Sequence, residues 1–189
     1  MKKRINKDRN RATIGDKIGV IIESPRGSRN KFKYDLSSRL FKLDKVLPEG
    51  MVFPFDFGFV PFTRCSDGDP LDVGVLMDEP TFTGCYVECR IVGVLEAEQK
   101  TNQKTYRNDR LIAVALSSIL FANLTNLRNF NRSLLDQIEA FFINYQKARG
   151  VTFTILSRQG PRRALATLKA ASYEAVRKSG DDASDALST

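Results

Sequence analysis

The sequence predicts a mainly β protein with α-helices: a small closed or nearly closed β-barrel with helices packed against it. Two observations carry that prediction. From residue 17 to about 116, short apolar or alternating runs follow one another between turn residues; the C-terminal third then changes to helical spacing. No internal repeat or low-complexity linker divides the chain, and 189 residues suit one domain with a core of its own.

The expected strands are KIGVIIES (17–24), KFKYDL (31–36), LFKLDKVL (40–47), VFPFDFGFV (52–60), LDVGVLM (71–77), CYVECRIVGVL (85–95) and RLIAVAL (110–116). In the fourth, Phe53, Phe55, Phe57 and Phe59 alternate with Pro54, Asp56 and Gly58. Strict alternation puts the four rings on one face, as a barrel wall or as the wall of a pocket beside the turn that follows. In NRSLLDQIEAFFINYQKARG (131–150), Leu134, Leu135, Ile138, Phe141, Phe142 and Tyr145 follow helical spacing. Asn131 or Ser133 can cap its start, Lys147 and Arg149 suit the negative end of its dipole, and Gly150 can close it. A short strand, VTFTIL (151–156), comes next, and Pro161 opens a second helix that runs to about Lys178. The divisions are a basic arm over 1–16, a barrel domain over 17–178 and a polar tail over 179–189.

Composition narrows the chemistry. The chain has no histidine, which excludes Ser-His and Cys-His catalysis and every His-ligated metal site. Cys65, Cys85 and Cys89 are too few and wrongly spaced for a zinc cage, and they read as reduced thilols of a cytoplasmic protein. Any metal therefore has oxygen ligands, which points to a hard cation such as Mg2+ or Mn2+. No segment approaches the roughly 20 apolar residues that cross a bilayer, and the basic start has no apolar run behind it, so neither membrane insertion nor secretion is expected. Of the net charge of +8, residues 1–12 carry +5. That concentration reads as a solvated arm, and nucleic acid is not an expected partner.

The densest chemistry lies in SDGDPLDVGV (66–75), with Asp67, Asp69 and Asp72 in a six-residue window. Asp-Gly is strong turn chemistry, so a plain turn is one explanation. In an extended chain Asp67 and Asp69 share a face, and Pro70 can bend the backbone so that Asp72 is re-aimed toward them. Three carboxylates from one loop would then make a metal seat.

In company, the motifs resemble a family. IESPRGSRNKFKYD, LDKVL, VFPFDFGFVP, DGDPLDV, VGVL…RNDRLIAV and FFINYQK occur in the order and approximate spacing of the family I inorganic pyrophosphatases, over roughly residues 18–175. The resemblance implies an OB-like barrel, a homo-oligomer, Mg2+ as cofactor with Mn2+ as a substitute, and hydrolysis of inorganic pyrophosphate to two phosphates. It makes Asp67, Asp72 and Glu23 metal ligands, with Asn108 at a further ligand position, and Asp69 the general base. It sets Lys31, Lys45, Arg110 and Tyr145 around the phosphates.

The chain departs from the family pattern at several of these positions. Lys33 stands for a glutamate, Lys45 for an arginine, and Phe53 and Phe57 for tyrosines. Gln99 and Asn108 stand for a later pair of metal-binding aspartates, Arg110 for a lysine, and Gln146 for the lysine after the helix tyrosine. Glu98 or Asp109 would restore an acid if EAEQKTNQKTYRNDR were loop rather than strand. The departures support a second reading, a catalytically impaired relative that binds a phosphate-bearing ligand.

Overall fold

The computed structural model describes residues 13–14, 17–35, 37–101 and 104–172. Nearly all of the predicted basic arm, and the whole polar tail, lie outside the described residues. The strands are β1 (Thr13–Ile14), β2 (Lys17–Ser24), β3 (Asn30–Asp35), β4 (Leu40–Val46), β5 (Asp56–Val60), β6 (Leu71–Leu76), β7 (Tyr86–Lys100), β8 (Thr105–Arg107), β9 (Arg110–Ala115) and β10 (Thr152–Gln159). The helices are α1 (Arg132–Lys147) and α2 (Pro161–Ala171).

Five strands close on themselves: β2 pairs with β5, β5 with β6, β6 with β9, β9 with β7, and β7 returns to β2. This closed ring, with its helices, is the predicted mainly β architecture. β7 makes closure possible by serving two neighbours in turn. Its first residues pair with β2 and its later ones with β10, and the register shifts between Ile91 and Gly93 against β9. Such a bulge bends a strand and increases its twist. Gly93 is required there, because a Cβ would lie 2.5 Å from the Gln159 carbonyl oxygen.

Period-two alternation sorts the ring residues into two cores. Ile18, Val20, Ile22, Val60, Leu71, Val73, Val75, Cys89, Ile91, Leu111 and Ala113 form a cluster that draws on every ring strand, so it fills the inside of the ring. Ala164, Leu168 and Ala171 of α2 cap it. On the other face Phe57, Leu76, Leu95, Ile112 and Val114 pack against Leu135, Ile138, Phe141, Phe142 and Tyr145 of α1. Asn131 caps α1, accepting the Leu134 N–H at 3.1 Å. Each buried phenylalanine of this layer contributes roughly 2–3 kcal/mol.

Three boundaries differ from the sequence expectation. The fourth run becomes strand only at Asp56, because Pro54 cannot donate to a ladder. The buried Asp56 carboxylate ties down the strand's start by accepting the backbone N–H groups of Arg26 and Thr81. All four phenylalanines are nevertheless buried, 2–4% exposed. The strand after α1 runs on to Gln159, held by β7 along its whole length. α2 ends at Ala171, and the rest of the predicted helix lies outside the described residues from 173 onward. Cys65, Cys85 and Cys89 are all free thiols.

Candidate active site

The hairpin β3–β4, the loop into β6, the start of β9 and the last turns of α1 surround a cleft of about 850 Å³. The residues assigned to metal, base and phosphate roles from the sequence all line it: Glu23, Lys31, Lys45, Asp67, Asp69, Asp72, Asn108, Arg110 and Tyr145.

The acidic loop is held by its own chemistry. The Asp67 carboxylate accepts the Asp69 N–H at 3.1 Å, and Gly68 takes the left-handed conformation (φ +89°) that this tight turn demands. Asp72 lies on β6 opposite Phe59, between Leu71 and Val73, which enter the inner core. Alternation therefore turns Asp72 outward into the cleft. Asp69 and Asp72 are both engaged by cations. Lys33 Nζ donates to both Asp69 oxygens at 2.7 and 2.9 Å. Arg110 Nη1 lies 2.5 Å from Asp72 Oδ2. Arg110 is 6% exposed, and its guanidinium lies 5.8 and 5.6 Å from the ring centroids of Phe142 and Phe153.

Behind Arg110 runs a chain of amides. Arg110 donates to Asn108 Oδ1, and Asn108 Nδ2 donates to Gln99 Oε1 at 2.7 Å. Gln146 Nε2 donates to the same Gln99 oxygen at 3.3 Å, while Gln99 Nε2 donates to the Tyr106 hydroxyl at 2.5 Å. Arg149 Nη1 donates to Gln146 Oε1 at 2.9 Å. The strand register excludes the loop alternative for Glu98. Gln99 pairs with Tyr106 and Glu98 with Arg107, so Gln99 faces the cleft and Glu98 is turned from it. Asp109 accepts the Ala97 N–H at 2.9 Å and pairs with Arg107 at 2.8 Å. Neither acid lines the cleft.

The opposite wall is basic and aromatic. Lys31 Nζ stands 3.9 Å from Glu23 Oε2 and 5.1 Å from the Phe57 ring centroid. Lys45 pairs with its neighbour Asp44 at 2.8 Å. Among the described residues the buried Tyr145 hydroxyl has no hydrogen-bond partner of good geometry, and Arg149 lies over its ring at 5.6 Å.

Burial governs the electrostatics. It pushes the Glu23 carboxyl up to about 7 against the opposing pull of Lys31 and of the Tyr34 N–H that it accepts at 2.9 Å. Asp67 is also raised, first by desolvation and then by the charges of Asp69 and Asp72. The phenol of Tyr145 is raised by burial and remains a proton donor at neutral pH. Cys65, beside the loop, is pushed up to about 12 by burial, which leaves its thiol inert.

The donor set fits a hard cation on the loop side. Asp67, Asp69 and Asp72 offer only oxygen, and the burial, with the like charges of Asp69 and Asp72, that raises Asp67 is what a bound cation would offset. The amide side does not fit one. Among the described residues no three acidic or thiol side chains stand close enough to enclose a metal as they are. Asp69 and Asp72 are held here in ion pairs with Lys33 and Arg110, while Asp67 is not paired among the described residues.

Sequence reasoning missed the contributions of Tyr106 and Arg149. Tyr106 enters through its pairing with Gln99, which no local motif signals. Arg149 was legible in principle, because it follows Tyr145 by four residues and so shares its side of the chain as α1 ends.

The fold agrees with comparisons to known proteins. The family model described as inorganic pyrophosphatase matches residues 20–175. The inorganic pyrophosphatase of Synechocystis sp. is 36% identical over 129 residues, 68% of this chain and 74% of that protein. That of Methanosarcina acetivorans is 34% identical over 159 residues, 84% of this chain and 92% of that one. The crystal structure of inorganic pyrophosphatase from Thermus thermophilus superposes with a TM-score of 0.79 at 29% identity, covering 89% of this chain and 94% of that one. With its five-stranded ring, its acidic loop and matches of this length, the chain belongs to the family I inorganic pyrophosphatases.

Proposed function

We propose that the chain hydrolyses inorganic pyrophosphate to two phosphates in this cleft, with Mg2+ as cofactor and Mn2+ as a substitute. One observation supports this above the others. A single loop presents Asp67, Asp69 and Asp72 to a cleft whose other walls offer Lys31, Lys45, Arg110 and the unpartnered hydroxyl of Tyr145. Acids that hold a cation and donors that hold phosphate oxygens are the two halves of a phosphoanhydride site.

In this reading Asp67 and Asp72, together with Glu23, would hold the cation. Mg2+ bound there would offset phosphate charge and lower the pKa of a water. Asp69 accepts the proton of the attacking water, exchanging its partner Lys33 for that contact. Lys31 and Lys45 bind phosphate oxygens as point charges. Tyr145 donates its hydroxyl hydrogen to another, which ends its buried isolation. Arg110 orients Asp72 and faces the substrate. The Asn108 amide belongs with Gln99 as a support of Arg110, since both its polar atoms are engaged by those neighbours.

We also infer a cytoplasmic homo-oligomer. The free cysteines suit a reducing compartment, and the strongly exposed Ile119 and Leu120 suit a surface covered by a second copy.

The test is phosphate release from pyrophosphate with Mg2+ and with Mn2+. Wild type turns over, and Asp69→Asn loses about 10²–10⁴-fold, the usual share of a general base. An unchanged rate in Asp69→Asn would remove Asp69 from that role.

A further inference from the structure

Arg110 occupies an unusual position for a buried cation. Its described polar contacts, to Asp72, Asn108 and the Asp109 carbonyl, all use Nη1, and its Nε is buried with no partner. The rings of Phe142 and Phe153 fix the plane of the guanidinium. A side chain held this way does not swing aside for a competing cation.

The amide oxygens behind it are uncharged and each already accepts at least one hydrogen bond. Asn108 Oδ1 accepts from Arg110, Gln99 Oε1 accepts from Asn108 and Gln146, and Gln146 Oε1 accepts from Arg149. Hard divalent cations favour charged oxygens with free lone pairs. This wall offers none, and it presents a fixed positive charge. The cleft as a whole is balanced: its lining holds the acids Glu23, Asp35, Asp44, Asp67, Asp69 and Asp72, against Lys31, Lys33, Lys42, Lys45, Arg110 and Arg149.

We propose that Arg110 is a resident cation that bridges Asp72 to the substrate in place of a second divalent ion, so that the resting cleft takes up one divalent ion, at Asp67 and the Asp72 oxygen that Arg110 leaves free, and no second. The inference rests on the phosphoanhydride reading for its bridging half, while the ion count stands independently of any turnover. The Nη2 edge of the guanidinium, which none of these contacts uses, supplies the donors for a phosphate oxygen, a geometry a lysine does not reproduce.

The test counts ions on the full chain without substrate, by Mn2+ titration read from the paramagnetic resonance of free Mn2+ and by calorimetry with Mg2+. Wild type binds one saturable ion per chain. The near-isosteric triple variant Gln99→Glu/Asn108→Asp/Arg110→Met binds two, whereas Arg110→Lys, which keeps the charge, still binds one. Two or more ions on wild type would overturn the proposal, and so would a folded triple variant that gains none. Because the wild-type count needs no variant, misfolding of the triple variant does not protect the idea. For the bridging half, inorganic phosphate and a non-hydrolysable diphosphate are titrated with chelator present. Arg110→Met weakens both by tenfold or more, and unchanged affinity would refute the contact. If pyrophosphate is not turned over but the count is one, the proposed function fails and the ion count survives.

Discussion

At the scale of single residues, Lys33 sets the resting state of the site by gripping both oxygens of Asp69. The two side chains are 48% and 52% exposed, so the pair contributes under about 1 kcal/mol to stability and yields readily to substrate or metal. Lys33→Met therefore leaves the melting temperature nearly unchanged and strengthens Mg2+ binding several-fold in calorimetry. Unaltered Mg2+ affinity would show that the pair does not compete with the ion. The acids of the loop were legible because they are crowded into one short segment. Their partners were not, because Lys33 lies 36 residues from Asp69 and Arg110 lies 38 from Asp72 in sequence, and no periodicity links them. The chemistry of the amide wall was legible as a set of substitutions. That they interlock into one network was not.

At the scale of elements, β7 decides which residues the cleft receives. Its register against β8 fixes Gln99 inward and Glu98 outward, a distinction that slips entirely with a shift of one residue. The same strand carries Glu96, which joins three elements: it accepts from Ser157 on β10, pairs with Arg163 of α2 at 2.7 Å, and meets Arg107 of β8 at 3.4 Å. Those partners, Ser157 first, hold its carboxyl below the ordinary value of 4.5. A lowered carboxylate stabilises the fold above its unfolded pKa, and that stability disappears as pH falls through the folded value. Glu96→Gln is thus less stable than wild type by about 1 kcal/mol at pH 7, and the difference closes as pH drops below about 4.5. Urea unfolding at both pH values checks this; a difference that persists in acid would assign the cost to packing. The helix was easier to read than the strand ends. Six apolar positions and an Asn cap marked α1, whereas the start of β5 depends on Asp56 accepting from Arg26 and Thr81, groups supplied from elsewhere in the chain.

At the scale of the whole molecule, stability and chemistry share one layer. Phe53, Phe57, Phe141 and Phe142 belong to the core between ring and α1, and they also line the cleft. Phe142 packs at tilted or edge-on angles against Phe55, Phe57 and Phe153 and supports the guanidinium of Arg110. Phe142→Ala costs about 3–5 kcal/mol of stability and, in the fraction that stays folded, weakens phosphate binding through Arg110. A thermal melt with a parallel phosphate titration separates the two effects; full phosphate affinity in the folded variant would detach Arg110 from its platform. The mainly β class and the helical third were readable from two periodicities. A closed barrel was expected too, but the strand order that closes it was not legible, because it rests on β7 pairing with both β2 and β9 across distant parts of the chain.

The central claim is that this cleft is a metal-dependent phosphoanhydride hydrolase site. Its most direct test is the initial rate of phosphate release from pyrophosphate by the wild-type chain, measured with Mg2+, after chelation, and after Mg2+ is restored. The account predicts turnover that stops on chelation and returns with the ion. No release of phosphate with Mg2+ or Mn2+, or release that chelation leaves untouched, would contradict it.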